Sequence, residues 1–264
     1  MTVLMESIPE WLVAVASPFP VYGATVMLIA AAERRWPAGR DAGPPDRFFN
    51  FALAFLLALA LAAFNFAIAG IERLLPRSPL AAVRLEGFWQ WTAGALAYAF
   101  LWDLLQYGLH RLQHRVPLLW RTHALHHDSE ALQCTDALRN TVWAGLAQIV
   151  LVGLPLAAAG AHRLLHPTAG VLLFSVFGFY NHANLRIGHG PLTPVLSGPQ
   201  FHRLHHGRNE CYWNKNLAAF FPVIDILFGT YVRPTPGEFP PTGLPGRPQS
   251  RGGLRPLIAA MFGR

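Results

Sequence analysis

THALHHDS, residues 122–129, and FHRLHHGR, residues 201–208, write one five-residue pattern twice: His123-x-x-His126-His127 and His202-x-x-His205-His206. On a helix, positions i, i+3 and i+4 share a face, so each triplet is expected to point its imidazoles into one small volume. Just upstream, LHRLQHR carries a further i, i+4 pair, His110 and His114. Neutral imidazole is a favoured ligand of zinc, iron and copper. These eight histidines are too many for one ion, so two metal ions are the natural count. A lone histidine on an apolar face is more often packed or hydrogen-bonded, and the metal reading rests on the repetition. His162 and His166, in AHRLLHP, share the i, i+4 spacing but fall in a different connection, and are excluded from the site. His189, among Gly and Pro with no helical partner, reads as structural.

Composition sets the frame for these clusters. Of 264 residues, 53% are hydrophobic and 13% charged, where a soluble domain carries about 25% charged. Long apolar runs between Arg-bearing breaks predict an all-α integral membrane protein, a bundle of about four to five transmembrane helices with a histidine-rich di-metal cap on its cytoplasmic side. The runs lie at residues 11–32, 48–71, 88–109, 142–160 and 167–180, the last short for a span. LAAFFPVIDILFG, from Leu217, is shorter and is expected to lie at the interface or dock on the bundle. The N-terminus MTVLMESIPEW has no Lys or Arg, unlike a cleaved signal peptide, so the first apolar segment is expected to stay. Three regions follow: 1–87 with the N-terminal spans, 88–233 with the catalytic histidines, and a Pro/Gly-rich tail, 234–264, ending in a small surface helix.

Charge supplies an orientation. Arg34, Arg35, Arg40 and Arg47 share one connection; Arg111, Arg115, Arg121 and Arg139 share another, and nine basic residues follow residue 181. Arg73, Arg77, Arg84 and Arg163 fall on the opposite side. The positive-inside rule places the first group, and both triplets with it, in the cytoplasm. In a bacterial source this means the inner (plasma) membrane. The net charge of +7 comes without a basic stripe of interleaved aromatics, which argues against nucleic acid. Cys134 and Cys211 give neither a disulfide framework nor a Cys-x-x-Cys site.

Polar residues inside apolar runs are costly and mark function. Asp103, Tyr107, His110 and His114 lie along one helical face. Asp103 or Asp225 is expected to accept a hydrogen bond from the second nitrogen of a ligand histidine, fixing its tautomer; an ion pair with a buried Arg is the plainer reading of Asp103. Arg139 is a candidate partner for a carboxylate behind the ligands, or a cation at the interface. His182, after the fifth run, is a ninth candidate ligand.

DLLQYGLHRLQH, LWRTHALHHD, NHANLRIG, PQFHRLHH and IDILFGTY, in this order and spacing, resemble the fatty acid hydroxylase/sterol desaturase superfamily over residues 101–231, about half the chain. The resemblance implies a membrane-embedded non-haem di-iron oxidoreductase that uses O₂ to hydroxylate or desaturate a C–H bond of a lipid, fatty acyl, sterol-like or another isoprenoid or ether lipid. It implies two iron ions, for which zinc can substitute on purification, held by His110, His114, His123, His126, His127, His182, His202, His205 and His206. Two positions depart from the pattern. Asp128 stands where a small hydroxyl residue is common, and Gly178 stands where some members carry a further histidine, leaving room for water or another ligand on one metal.

Soluble di-iron proteins bridge their metals with Glu, whereas these clusters hold none. Phe174, Phe177, Phe179 and Tyr180 are candidates to line a substrate channel, or simply to pack helices. No Rossmann, haem or iron–sulfur motif is visible, which implies a separate electron donor, a ferredoxin or a cytochrome with its reductase. A metal transporter, a structural-zinc scaffold and, more weakly, a membrane hydrolase are the rival readings.

Overall fold

Short helices that begin on proline carry both histidine triplets. In a computed structural model, α4 (Pro117–His127) and α8 (Pro199–His205) each have Pro at their first position, after an extended Val116 or Gly198. Proline there loses no intrahelical hydrogen bond and arrives with helical φ preset. Each helix then runs just far enough to place its histidines in or one turn before its last turn, with His206 as the C-cap of α8. Gly207 follows at a tight passage, where a Cβ would meet the Leu204 carbonyl oxygen at 2.8 Å.

The structure describes residues 18–39, 46–72, 84–161, 164–165, 167–247, 249–250 and 252–262, with backbone only for 63–72, 167, 168 and 171. Outside it lie residues 11–17 of the first expected span, His162, His166, Arg40, Arg73, Arg77, Arg163, Arg251 and Arg264. The remaining α-helices are α1 (Phe19–Arg35), α2 (Arg47–Glu72), α3 (Gly87–Arg115), α5 (Val142–Gln148), α6 (Leu154–Ala158), α7 (Pro167–Asn181), α9 (Val223–Leu227) and α10 (Leu254–Met261). A π-helical turn, Ile149–Gly153, joins α5 to α6.

The expected bundle of transmembrane helices does not stand. Among the described residues no helix is long and apolar enough to cross a membrane. A span needs about 20 apolar residues, while α1 has 17 and α7 has 15. The fourth expected span is divided by the π turn into helices of seven and five residues. At 29 residues α3 has the length, but it carries Asp103, His110, Arg111, His114 and Arg115. Among the described residues the cytoplasmic orientation drawn from the arginines has no spans to rest on.

Apolar side chains knit the helices around the histidines. Tyr22 and Val26 of α1 pack on Cys134 and on Phe179 of α7, and Phe49 and Leu53 of α2 meet Leu125 of α4 and Ala260 of α10. Leu109 of α3 packs on Val152 and Leu156. Ile224 of α9 docks with Leu217 and Ala218 against Tyr107. This places the LAAFFPVIDILFG stretch on the helices, as one of the two sequence expectations had it. The Pro/Gly-rich segment is extended and tied down: Arg203 Nε donates to the Pro240 carbonyl at 2.9 Å, Arg208 N to Pro241 at 2.9 Å and Ser250 N to Asp128 at 3.0 Å.

Candidate metal centre

Nine imidazoles gather at the ends of α3, α4, α7 and α8 and divide into two clusters. The first holds His110, His114, His123, His127 and His205; the second holds His126, His182, His202 and His206. Within each cluster one nitrogen from every ring lies within 4.8 Å of the others. Each triplet is therefore shared, rather than aimed at one volume as the sequence suggested. Helix geometry gives the reason. At about 100° per residue, i and i+4 lie about 40° apart, while i+3 lies about 100° from i+4. His123 and His127 accordingly stay together and His126 crosses over; His202 and His206 stay together and His205 crosses the other way. The clusters touch where the His127 and His206 rings stack, centroids 4.3 Å apart.

Three rings are locked by carbonyls. Nδ1 of His110, His182 and His205 each lies 2.8 Å from a backbone oxygen, of Leu217, Gly178 and Lys215 respectively. A carbonyl only accepts, so Nδ1 carries the proton and Nε2 presents a bare lone pair to the cluster. Burial is the main reason these rings resist a second proton: it lowers His110 and His182 to about 4 and the other seven well below the usual range, with mutual repulsion adding to it in most.

The donor set fits metal ions. Nε2–Nε2 separations are 3.0 Å for His110–His123 and His182–His202, 3.1 Å for His126–His182, and 3.2 Å for His123–His127 and His202–His206. Two nitrogens about 2.1 Å from a shared ion at a right angle lie about 3.0 Å apart. Nε2 of His114 and of His205 is buried without a partner. A cation in the first cluster would engage both.

The two candidate carboxylates act on backbone instead of imidazole. Asp103 accepts from the N–H groups of Ala219, Phe220 and Phe221 at 2.7, 2.9 and 2.7 Å. Asp225 accepts from Leu217 N, Ala218 N and the Thr230 hydroxyl at 2.8, 2.9 and 2.7 Å. Together they clamp the strand of chain whose Leu217 carbonyl locks His110, so their influence on the ligand passes through one peptide. Burial pushes Asp103 up to about 6, against three N–H donors that favour its ionised form. Asp103→Asn would set an NH₂ group against one of those donors; we expect a loss of about 2–3 kcal/mol in denaturant unfolding. Tyr107 bonds the Thr230 hydroxyl at 2.8 Å and accepts from Arg111, bracing the same segment.

Arg139 is fully buried behind the first triplet and pairs with Asp128 at 2.6 Å. It also donates to Asn50 Oδ1, at 2.9 Å, and to the carbonyls of Leu125 and Ser250. Sequence reading missed Asn50, Asp136 and Glu33. Asn50 joins Arg139 to Asp136, and Glu33 of α1 accepts from Cys134 N and Asn184 N. The readable signal was polarity inside an apolar run, as in RFFNFALAF.

Two cavities flank the clusters. The outer, about 540 Å³, reaches His114, His127, His205 and His206 past Trp120, Trp213, Arg115 and Arg247. The inner, about 250 Å³, exposes His110, His123, His126, His182 and His202. Phe174 and Phe179 line the inner cavity with Trp102. Phe177 instead stacks on Phe220 at 4.0 Å, and Tyr180 bonds His189, which keeps His189 away from the clusters.

A sequence model described as "Fatty acid hydroxylase" matches residues 95–230, a stretch holding all nine clustered histidines. The chain belongs to the fatty acid hydroxylase family. Among curated relatives it is 32% identical to alkylglycerol monooxygenase of Danio rerio over 150 residues, 56% of this chain and 31% of that protein. It is 31% identical to ornithine lipid hydroxylase OlsE of Rhizobium tropici, over 53% of this chain and 42% of that one. Similarity to very-long-chain aldehyde decarbonylase GL1-1 of rice is 30% over 77% of this chain and 33% of that protein. The matched stretch thus spans 31% to 42% of these relatives' lengths. No solved structure matches.

Proposed function

We propose that this chain is a di-iron oxidoreductase that hydroxylates a C–H bond of a lipid, using O₂ and electrons from a separate donor, a ferredoxin or cytochrome. The observation that carries this reading is the division of nine neutral imidazoles, eight of them buried and His114 half-buried, into two touching clusters beside a cavity walled in part by aromatics. Membership of the fatty acid hydroxylase family supports the lipid substrate, as do relatives named for monooxygenation and hydroxylation of lipids.

Two iron ions held by these clusters would supply the oxygen-activating chemistry. The protein's part is geometric. Carbonyls of Leu217, Gly178 and Lys215 hold three rings with Nε2 inward, and the Asp103–Asp225 clamp holds one of those carbonyls in place. Trp102, Phe174 and Phe179 form an apolar wall of the inner cavity, where a C–H bond would meet His110, His123 and His126. Exposed apolar side chains such as Met27, Leu28, Phe88 and Trp89 suit contact with the lipid phase that supplies the substrate.

Lipid profiles of cells expressing the wild type or His126→Ala, grown with and without oxygen, test the reading. A hydroxylated lipid found only with wild type and oxygen is expected, together with about two iron atoms per purified chain. The same profile in all four conditions would overturn it.

A further inference from the structure

Two carbonyls that flank a single residue, Asn216, lock two ligand rings. The Lys215 oxygen holds Nδ1 of His205 and the Leu217 oxygen holds Nδ1 of His110, each at 2.8 Å. Both rings belong to the first cluster, with centroids 4.6 Å apart, and they come from different helices, α8 and α3. In the second cluster His182 takes its lock from Gly178, four residues earlier, and makes no use of this segment. Asn216 itself lies at φ 54°, in the left-handed region, and is fully buried. A Cβ crowds the following carbonyl there, and Asn is among the few side chains that tolerate it. Its amide is fully used. Oδ1 accepts from Val232 N at 2.7 Å, and Nδ2 donates to the carbonyls of Val232 and Phe201 at 3.1 and 3.4 Å. Phe201 immediately precedes His202, so the amide ties this segment to the helix that bears His205.

Planarity of the peptide shows how each carbonyl is held, because a C=O turns only with the N–H of the next residue. The Leu217 carbonyl shares its plane with Ala218 N–H, which Asp225 accepts at 2.9 Å. The Lys215 carbonyl shares its plane with Asn216 N–H, which donates to the Thr230 carbonyl at 3.0 Å. The carboxylate clamp therefore fixes one lock, and Asn216 fixes the other. We propose that Asn216 is the positioning residue of the first metal site. Its left-handed turn, braced by Val232 and Phe201, aims the Lys215 carbonyl at His205 while the chain continues to Leu217 and His110. Both rings then present Nε2 inward. Asn216 works through the backbone: among the described residues its hydrogen bonds go to Thr230, Val232 and Phe201 and not to a ligand ring. The proposal rests on the metal reading for what fills the cluster, but its account of ring orientation stands separately. Alanine at this position would lose both the amide and the tolerance of positive φ, whereas glycine would lose the amide alone.

Two measurements on the full-length chain test it. In metal-free protein with nitrogen-15 in its histidine rings, magnetic resonance reads solvent exchange of the Nδ1 protons of His110, His182 and His205. Asn216→Ala should speed exchange at His205, and to a lesser degree at His110, by at least about tenfold for the former, and leave His182 within about twofold. A general loss of structure would free all three alike. Titration of the metal-free chain with Co²⁺, followed by visible absorption, supplies the second readout. Asn216→Ala should weaken one of two sites by about ten- to hundredfold and leave the other within about twofold. The weakened site should be the one that survives His206→Ala, and the unaffected site the one that survives His205→Ala. Asn216→Gly should fall between Asn216→Ala and wild type in both measurements, and it carries the test if the alanine variant fails to fold. Equal weakening of both sites, equal exchange at the three rings, or wild-type behaviour of both variants would overturn the inference and leave the hydroxylase reading intact. A wild-type chain that binds no Co²⁺ while its rings respond as described would sustain the role of Asn216 in ring orientation and count against the di-iron centre.

Discussion

On the proposed di-iron reading, His126→Ala should remove the ion assigned to His182, His202 and His206 and leave the one assigned to His123 and His127, its own sequence neighbours. The basis is the crossing of each triplet's middle member: His126 lies 3.1 Å from His182, and His205 groups with His110 and His114. Metal content of the folded chain after dialysis should fall by about half in His126→Ala, and again by about half in His205→Ala, from opposite clusters. Double variants separate the models. His126→Ala with His182→Ala should lose no more metal than either alone, because both strike one site, whereas His126→Ala with His205→Ala should lose both ions. Turnover should drop by at least about a hundredfold in every one, and non-additively, since residues acting as a unit fail together. Metal loss that followed the motifs, with His123→Ala matching His126→Ala and complementing His202→Ala, would contradict the geometry. Far-ultraviolet circular dichroism of each variant controls for folding.

Much of this centre was readable before any coordinates. Helical spacing and repetition picked out eight of the nine clustered histidines, His182 was added from its place after the fifth run, and a count of nitrogens pointed to two sites. Partition between the sites was not readable, because an i, i+3, i+4 set reads as one face until a second helix supplies partners on both sides. The same limit explains Asp103 and Asp225. Their positions near the ligands were apparent, but a one-dimensional stripe cannot show that residues 217–221, far along the chain, would present bare N–H groups to both carboxylates. Hydropathy misled most. Residues 142–160 read as one continuous run, yet the chain winds through a π turn at Ile149–Gly153 and two short helices. Apolar composition measured how much surface these helices bury or show, and not whether any one of them is straight and long. The Pro/Gly-rich tail was legible as extended but not as part of the site, although Leu244, Pro245 and Arg247 line the outer cavity.

That tail is fixed through Arg139, where a second large effect is expected. Arg139 and Asp128 are wholly buried and 2.6 Å apart, and the guanidinium also reaches Asn50 and the carbonyls of Leu125 and Ser250 while lying 5.3 Å from the centre of the Phe49 ring. Removing one partner of a buried pair strands the other charge, at about 3–5 kcal/mol. Arg139→Met should therefore lower unfolding free energy by about that much in urea titrations, and Arg139→Met with Asp128→Leu should recover at least about 1 kcal/mol of it, since no lone carboxylate remains. Recovery stays partial because Asn50 Oδ1 and the Ser250 carbonyl lose Arg139 in both variants, and Ser250 N loses Asp128 as well in the double. Because Ser250 is held by both members of the pair, the single variant should also speed amide exchange across residues 241–250 more than in α3. Equal stability of Arg139→Met and wild type would mean that the pair contributes nothing beyond its desolvation cost. A double variant less stable than the single would mean that Asp128 is held chiefly by Ser250, and that the arginine serves the tail rather than the carboxylate.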